Sequence, residues 1–234
     1  MLFYMRTDNS NYRKNYWVNI PFINNFFKKT LKKNREIFFN YLSNHINIEE
    51  NFSVLDVGTT NIDDDYENIF IQKYPYKNNI TCLSNQSLEL IKKKYPEIIT
   101  SFGDGRKMIF EDKSFNLVHS NATIEHVGSY ENQLKFLEEC FRVSNKYIFI
   151  QTPNKYFPLD FHTKIPLIHF FPGYIHRFLL KLFGLRFYSD INNLNLISKK
   201  NLVEFMNKLN ISNYTILEHK LFGFVSNLIL IIRK

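Results

Sequence analysis

The sequence is poor in glycine and cysteine. Its 234 residues include only 7 Gly and 2 Cys. The few glycines leave few flexible hinges, and two cysteines are too few for the disulfide framework of a small secreted domain. Cys82 falls in an apolar strand pattern and Cys140 in a helical one. We therefore expect two buried, reduced thiols and a cytoplasmic setting.

The sequence also lacks a long uninterrupted apolar run. Residues 1–8 hold no apolar core and no small-residue cleavage site, so no signal peptide is expected. The most apolar region, residues 165–185, is interrupted by two prolines, two glycines and ionisable side chains, and is a poor membrane span. There is no Gly-Lys phosphate loop, and no group of His, Cys and carboxylates has metal-ligand spacing. No metal is therefore predicted.

What the sequence does contain is aromatic and basic. The 24 Phe and 14 Tyr supply material for one sizeable core, and the length fits one domain. The formal charge of +8 comes from scattered lysines, which indicates a solvated basic surface. Because Arg-rich tracts and the Asn-Pro-Pro-Tyr type of amino-group motif are absent, nucleic acid is not the expected partner.

Apolar periodicity predicts a series of alternating strands and helices. Residues 21–46 have the pattern of one or two amphipathic helices, which we expect to pack on the sheet edge rather than on a membrane or over an active site. Further helices are predicted at 66–74, 87–94, 131–143 and 199–209, and strands at 53–57, 80–83, 98–102, 115–119, 147–152, 214–221 and 227–232. This alternation predicts an α/β fold with a doubly wound parallel sheet.

Three strand ends carry residues suited to a cofactor pocket. They are Val54-Leu55-Asp56-Val57-Gly58, Gly103-Asp104-Gly105, and Ser120-Asn121-Ala122-Thr123-Ile124-Glu125-His126-Val127. Ligands of parallel sheets gather outside the carboxyl ends of the strands. The three segments resemble motif I, the adenine-binding acid and the "SNAVIEHV" segment of class I S-adenosylmethionine (SAM) dependent methyltransferases of the type 11-like group.

That resemblance implies the fold in more detail and the cofactor. It implies a Rossmann-like doubly wound seven-stranded sheet, with a C-terminal antiparallel hairpin, in a single domain over residues 1–234. Residues 1–50 would form an N-terminal helical extension, and residues 155–197 an inserted helical cap. The implied cofactor is SAM, and the residues expected to bind it are Asp56, Gly58, Thr59, Ser84, Asn85, Asp104, Gly105, Ser120 and Asn121.

The sequence departs from the family pattern at two points. Thr60 and Ile62 replace the second and third glycines of motif I. At the end of the second strand, where the family places an acid for the ribose hydroxyls, the sequence has Ser84 or Asn85. A neutral side chain can still hydrogen-bond a hydroxyl, but a charge-assisted bond is roughly twice as strong. The sequence therefore predicts weak SAM affinity unless Asn85 or another acid, such as Asp63, compensates.

The candidate catalytic residues are His126 and His162. A histidine has a near-neutral reference pKa and can serve as a general base, whereas the alternative for His126 is a structural role beside Glu125. Tyr156, His162 and His169 lie in the predicted cap and are the acceptor-site candidates.

We therefore predict SAM-dependent methyl transfer to an oxygen or nitrogen of a small organic or sugar-like acceptor, which could be lipid-linked. Two alternatives stay open. One is a non-catalytic methyltransferase-like binding module. The other is a peripheral membrane protein that binds the membrane through the helix at 22–42 and the apolar stripe at 171–185. The protein would then be cytoplasmic and membrane-associated.

Overall fold

The computed structural model of the chain describes residues 21–64 and 66–234. The expectations for residues 1–20, including the absence of a signal peptide, lie outside these ranges. The strands of the described part are β1 (Val54–Val57), β2 (Ile80–Ser84), β3 (Ile99–Phe102), β4 (Phe115–Asn121), β5 (Ser144–Pro153), β6 (Tyr214–Leu221) and β7 (Phe224–Arg233). The α-helices there are α1 (Pro21–His45), α2 (Ile69–Lys73), α3 (Glu89–Lys94), α4 (Tyr130–Val143), α5 (Gly173–Leu182) and α6 (Lys199–Lys208).

The strands form one seven-stranded sheet in the order β3-β2-β1-β4-β5-β7-β6. The first five in this order are parallel, and β7 pairs antiparallel with both β5 and β6. The order reverses between β1 and β4, which creates the crevice where open α/β sheets bind ligands. The predicted Rossmann-like doubly wound sheet with its C-terminal hairpin is confirmed.

The hairpin is closed by a two-residue turn. Phe222 and Gly223 both have positive φ angles, 52° and 83°. A two-residue turn of this type matches the twist of the flanking strands. The turn brings β6 and β7 together as an antiparallel pair.

Apolar side chains cover both faces of the sheet. One cluster joins the central strands to α4 and α6 through residues such as Phe136 and Phe205. The other joins them to α1, α2 and α3, with Phe38, Leu42 and Phe70 among its members. Central parallel strands buried on both faces need nearly continuous apolar sequence, and every residue of β1 and β2 is buried.

Helix α1 lies differently from the sequence prediction. It packs on the face of the sheet against α2 and the central strands, because Phe38, Leu42 and Ile46 share one apolar cluster with Val54 and Phe149. The expectation that this helix packs on the sheet edge, away from the site, was wrong. The C-terminal half of α1 lines the cavity described below.

The second helix is shorter than predicted. It begins at Ile69 because Asn68 adopts a left-handed conformation, with φ 44° and ψ 35°.

Asp63, which the sequence suggested could compensate for the missing ribose acid, forms an ion pair with Lys94.

Residues 155–197, the predicted cap, have little apolar core of their own. Their apolar cluster contains Ile168, Leu180 and Leu185 as buried residues. On α5, Tyr174, Phe178 and Leu182 are all more than 60 % exposed. None of the described helices is long and apolar enough to cross a membrane.

Candidate active site

An open cavity lies at the carboxyl ends of β1, β4 and β5, beside α1 and α2. The space between its walls, counted together with open solvent at its mouth, is about 710 Å³. Four of the predicted cofactor-binding residues line it, namely Asp56, Gly58, Thr59 and Asn121. The cavity therefore lies at the switch point that the sheet order predicts.

Asp56 is held in a buried polar cluster at the base of this cavity. Its Oδ1 lies 2.6 Å from Nδ1 of His119, and its Oδ2 accepts a 2.6 Å hydrogen bond from Oγ1 of Thr59. The His119 ring stacks on Phe70, with 3.9 Å between the ring centroids. These contacts fix the carboxylate at the end of β1, and its exposed fraction is 5 %.

Gly58 cannot be replaced by a larger residue without strain. Its φ angle is +92°, and a Cβ atom there would lie 2.1 Å from Oγ1 of Thr123. Positive φ favours glycine. The backbone of the motif I turn and the segment after β4 are therefore in direct contact.

Two predicted cofactor residues serve as buried links between strands. Ser84 donates a 2.8 Å hydrogen bond from its hydroxyl to the carbonyl oxygen of Thr59. Ser120 is fully buried and donates a 2.8 Å bond to the carbonyl oxygen of Val57. Asn85, the next residue after β2, is exposed at the same edge.

The predicted adenine-binding acid, Asp104, is engaged by Arg106. Nε of Arg106 lies 2.9 Å from Oδ1 of Asp104, and its Nη2 lies 2.6 Å from Oδ2. Although partial burial acts in the opposite direction, these contacts lower the pKa of Asp104. Arg106 also donates to the carbonyl oxygen of Val127 at 3.2 Å, so its side chain joins the β3 loop to the segment after β4.

Gly105 has a packing role. A Cβ atom at this position would lie 2.8 Å from the Phe136 ring and 3.1 Å from the Val57 side chain. The absence of a side chain allows the β3 loop to lie on α4.

The cavity also contains charged residues that the sequence analysis did not assign to the site. Arg35 of α1 and Glu67 both line it, and their side chains form a 2.6 Å ion pair. Each side chain is 16 % exposed. Arg35 was the one arginine among the lysines of the helix pattern at 21–46, but only the position of α1 reveals its role.

Glu125, His126 and His162 converge beyond the end of β4. Oε1 of Glu125 lies 4.0 Å from Nε2 of His126 and 3.8 Å from Nε2 of His162. The two imidazole rings meet edge to face, with 4.9 Å between their centroids. The cap thus brings His162 to the Glu125-His126 pair, so the two predicted catalytic histidines are neighbours.

Each histidine of this group is oriented through its other nitrogen. Nδ1 of His126 lies 2.6 Å from the carbonyl oxygen of Asn193, and Nδ1 of His162 lies 3.0 Å from Oδ1 of Asp160. Burial lowers the pKa of His126. Burial also disfavours the charged form of His162, but the hydrogen bond and charge of Asp160, together with the charge of Glu125, outweigh it and raise the pKa.

The remaining acceptor-site candidates occupy other parts of the cap. Tyr156 is 58 % exposed, and its ring centroid lies 6.2 Å from that of Phe170. His169 is buried, and burial lowers its pKa. The structure thus brings His162, of the three candidates, next to Glu125.

Residues 71–147 match the sequence model of a family described as a methyltransferase domain. Comparison with curated proteins gives no match. Among solved structures, the fold is similar to a SAM-dependent methyltransferase from Archaeoglobus fulgidus, with a TM-score of 0.58 and 15 % identity over 89 % of this chain and 98 % of that one. A SAM-dependent methyltransferase from Methanosarcina mazei gives a TM-score of 0.54 and 14 % identity over 83 % and 96 % of the two chains.

A putative sarcosine dimethylglycine methyltransferase from Galdieria sulphuraria gives a TM-score of 0.57 and 13 % identity over 86 % and 85 % of the two chains. These structures support the fold, and the matched methyltransferase domain supports the enzyme prediction. They do not favour the binding module or the peripheral membrane protein that the sequence left as alternatives.

Proposed function

We propose that this chain is a class I SAM-dependent methyltransferase of the type 11-like group. It methylates an oxygen or nitrogen of a small organic or sugar-like acceptor, which is held beside Glu125, His126 and His162. The observation that carries the proposal is the placement of these three side chains. Asn121 lines the cavity and ends β4, and Glu125 follows within the next turn of the chain. Acceptor groups and cofactor groups thus share one edge of the sheet.

The chemistry of the cavity fits the amino-acid end of SAM. That end carries a carboxylate and an ammonium group. Arg35 offers a guanidinium for the carboxylate, and its partner Glu67 offers a carboxylate for the ammonium. Asp56, whose two oxygens also contact His119 and Thr59, adds a second carboxylate for the ammonium. Charge-assisted bonds of this kind are the strong ones in proteins. We therefore assign the binding of the methionine portion to these residues, with Gly58, Thr59 and Asn121 around them.

The adenine end requires a rearrangement of one side chain. Asp104 would bind the adenine amino group, but both of its carboxylate oxygens accept bonds from Arg106. Arg106 must therefore turn away, or share the carboxylate, when the nucleoside binds. The neutral Ser84 and Asn85 leave the ribose without a charged partner, in keeping with weak affinity.

When bound, SAM supplies an electrophilic methyl group, and its sulfur takes the electron pair of the broken S–C bond, which leaves S-adenosylhomocysteine. The protein holds the acceptor atom in line with that bond. His162 would accept the acceptor's proton at Nε2, because Asp160 holds its Nδ1. Asp160 is a positioning residue, which also accepts bonds from the backbone and hydroxyl of Thr163.

Two measurements test this proposal. Calorimetric titration with SAM should detect binding that Asp104→Ala weakens, and no binding at millimolar SAM would overturn the cofactor assignment. A screen of hydroxyl and amine acceptors, read by S-adenosylhomocysteine release, should then find a substrate. His162→Ala should reduce its turnover by about 10²–10⁴-fold with unchanged SAM affinity, whereas His45→Ala, on the outer end of α1, should not. Equal turnover after His162→Ala would remove that residue from the mechanism.

A further inference from the structure

The geometry points to a divalent transition-metal site formed by Glu125, His126 and His162. Each residue offers one ligand atom, and these atoms lie within 4.8 Å of one another. His162 is distant in the sequence from Glu125 and His126, so the three residues form no short ligand motif. The sequence therefore predicted no metal. The inference rests on the proposed function only in assigning the metal a role toward the acceptor.

The two imidazoles have the orientation of metal ligands. A backbone carbonyl at 2.6 Å and a carboxylate at 3.0 Å can only accept hydrogen bonds, so Nδ1 of His126 and Nδ1 of His162 must each carry the proton. Nε2 is then the ligand nitrogen of both rings, and both Nε2 atoms face Oε1 of Glu125. Metal-binding histidines almost always donate their second N–H to a carbonyl or carboxylate in this way.

The carboxylate itself lacks a partner at the point where the metal would lie. Glu125 is 0 % exposed, and its Oε2 accepts a 3.1 Å bond from the hydroxyl of Thr152. Among the described residues, no donor lies within hydrogen-bond distance of its buried Oε1. A buried anionic oxygen without a partner is costly. A cation between Oε1 and the two imidazoles would compensate its charge.

The spacing fits a small cation after a minor adjustment. Ligands at about 2.0–2.2 Å from a tetrahedral Zn²⁺ lie roughly 3.4 Å from each other. The Oε1–Nε2 distances are 4.0 and 3.8 Å. Each group therefore has to move inward by about half an ångström, which side-chain rotation can supply. Two imidazoles and one carboxylate suit Zn²⁺, Co²⁺ or Fe²⁺ rather than Ca²⁺.

Three protein ligands leave one or more coordination positions open, as in catalytic metal sites. A hydroxyl acceptor bound there would lose its proton to solvent more readily, because the metal stabilises the alkoxide or phenolate. The oxygen would attack the methyl carbon, the S–C bond would break, and its electron pair would stay on sulfur. The metal would thus select acceptors with a coordinating oxygen. Nε2 of His126 and Nε2 of His162 would then bind the cation, so in the metal-bound enzyme the proton leaves to solvent and His162 is a ligand instead of the base.

The test uses the full chain, freed of metal by dialysis against a chelator and titrated with Co²⁺. We expect one Co²⁺ per chain, with visible d–d absorption bands and a raised unfolding temperature. Glu125→Gln, His126→Ala and His162→Ala should each weaken binding by about 100-fold or more, and Asp160→Asn by about 10–100-fold. His45→Ala is the matched control and should bind as the parent does.

Circular dichroism establishes whether each variant is folded. If His162→Ala is not folded, His162→Asn takes its place. A Co²⁺ affinity that stays the same in folded Glu125→Gln and His162→Asn would overturn the site, as would the absence of Co²⁺ binding. Calorimetry with SAM on metal-free and Co²⁺-loaded protein separates the two proposals. SAM binding without metal binding overturns the metal site alone, and metal binding without SAM binding overturns the cofactor assignment alone.

Discussion

Replacing Arg35 with alanine should reduce SAM affinity more than it reduces stability. The guanidinium lies in the cavity wall, where its Nη1 donates to Oε2 of Glu67 at 2.6 Å and to the carbonyl oxygen of Tyr66 at 2.5 Å. In the proposed complex it also binds the carboxylate of the cofactor. The substitution therefore removes one ligand contact and one bridge between α1 and the loop before α2.

The two losses have different sizes. A hydrogen bond to a charged group contributes about 1.5–3 kcal/mol, so the dissociation constant for SAM should rise roughly 10- to 150-fold. The Arg35–Glu67 pair is partly buried, with both side chains 16 % exposed. After allowance for solvent screening, its loss should reduce the free energy of unfolding by about 1 kcal/mol.

Isothermal titration calorimetry measures the affinity, and urea unfolding measures the stability. Arg35→Lys keeps the charge but loses the planar fork, so its affinity should be intermediate. Lys33→Ala removes an exposed cation from the same helix and should leave SAM binding unchanged. The assignment of Arg35 is refuted if Arg35→Ala binds SAM within about twofold of the parent, or if Lys33→Ala weakens binding equally.

Three further predictions concern Gly58, the two cysteines and His176. Gly58→Ala should lower the free energy of unfolding by about 2–4 kcal/mol, because the new side chain is strained at positive φ and contacts Thr123. Urea unfolding measures this loss. Adding Thr123→Gly to the Gly58→Ala variant should recover part of it. Cys82 and Cys140 are buried and their pKa values are raised by burial, so a thiol reagent should modify them only after unfolding, and rapid labelling of the native protein would contradict this. Burial lowers the pKa of His176 to about 4. Between about pH 6.5 and pH 4 the unfolded chain binds more protons than the folded chain, so the free energy of unfolding should fall as the pH drops through this range. His176→Asn should flatten this part of the pH–stability curve.

Much of the fold follows from local sequence. The strands β1, β2, β4 and β5 each contain a short apolar segment, and parallel strands buried on both faces of the sheet need such segments. Helix α2 begins three residues later than predicted, because Asn68 adopts a left-handed conformation that periodicity does not reveal. Strand β5 also extends back to Ser144, directly after α4, because pairing with β4 begins there.

Less of the site follows from local sequence. Motif positions predicted Asp56, Gly58, Thr59 and Asn121, and all four line the cavity. Ser120 was also predicted, yet its side chain is fully buried and bonded to Val57. Successive strand residues point to opposite faces of the sheet, so Ser120 points away from the face on which His119 and Asn121 line the cavity.

The sequence by itself determined the α/β architecture and the edge of the sheet at which the site lies, because the alternation of strands and helices and their apolar periodicity are encoded locally. Only the tertiary structure placed Arg35 in the cavity wall and brought His162 to within 3.8 Å of Glu125. These residues are distant along the chain. Their proximity depends on how α1 and the cap pack on the sheet, since long-range packing is a property of the whole core.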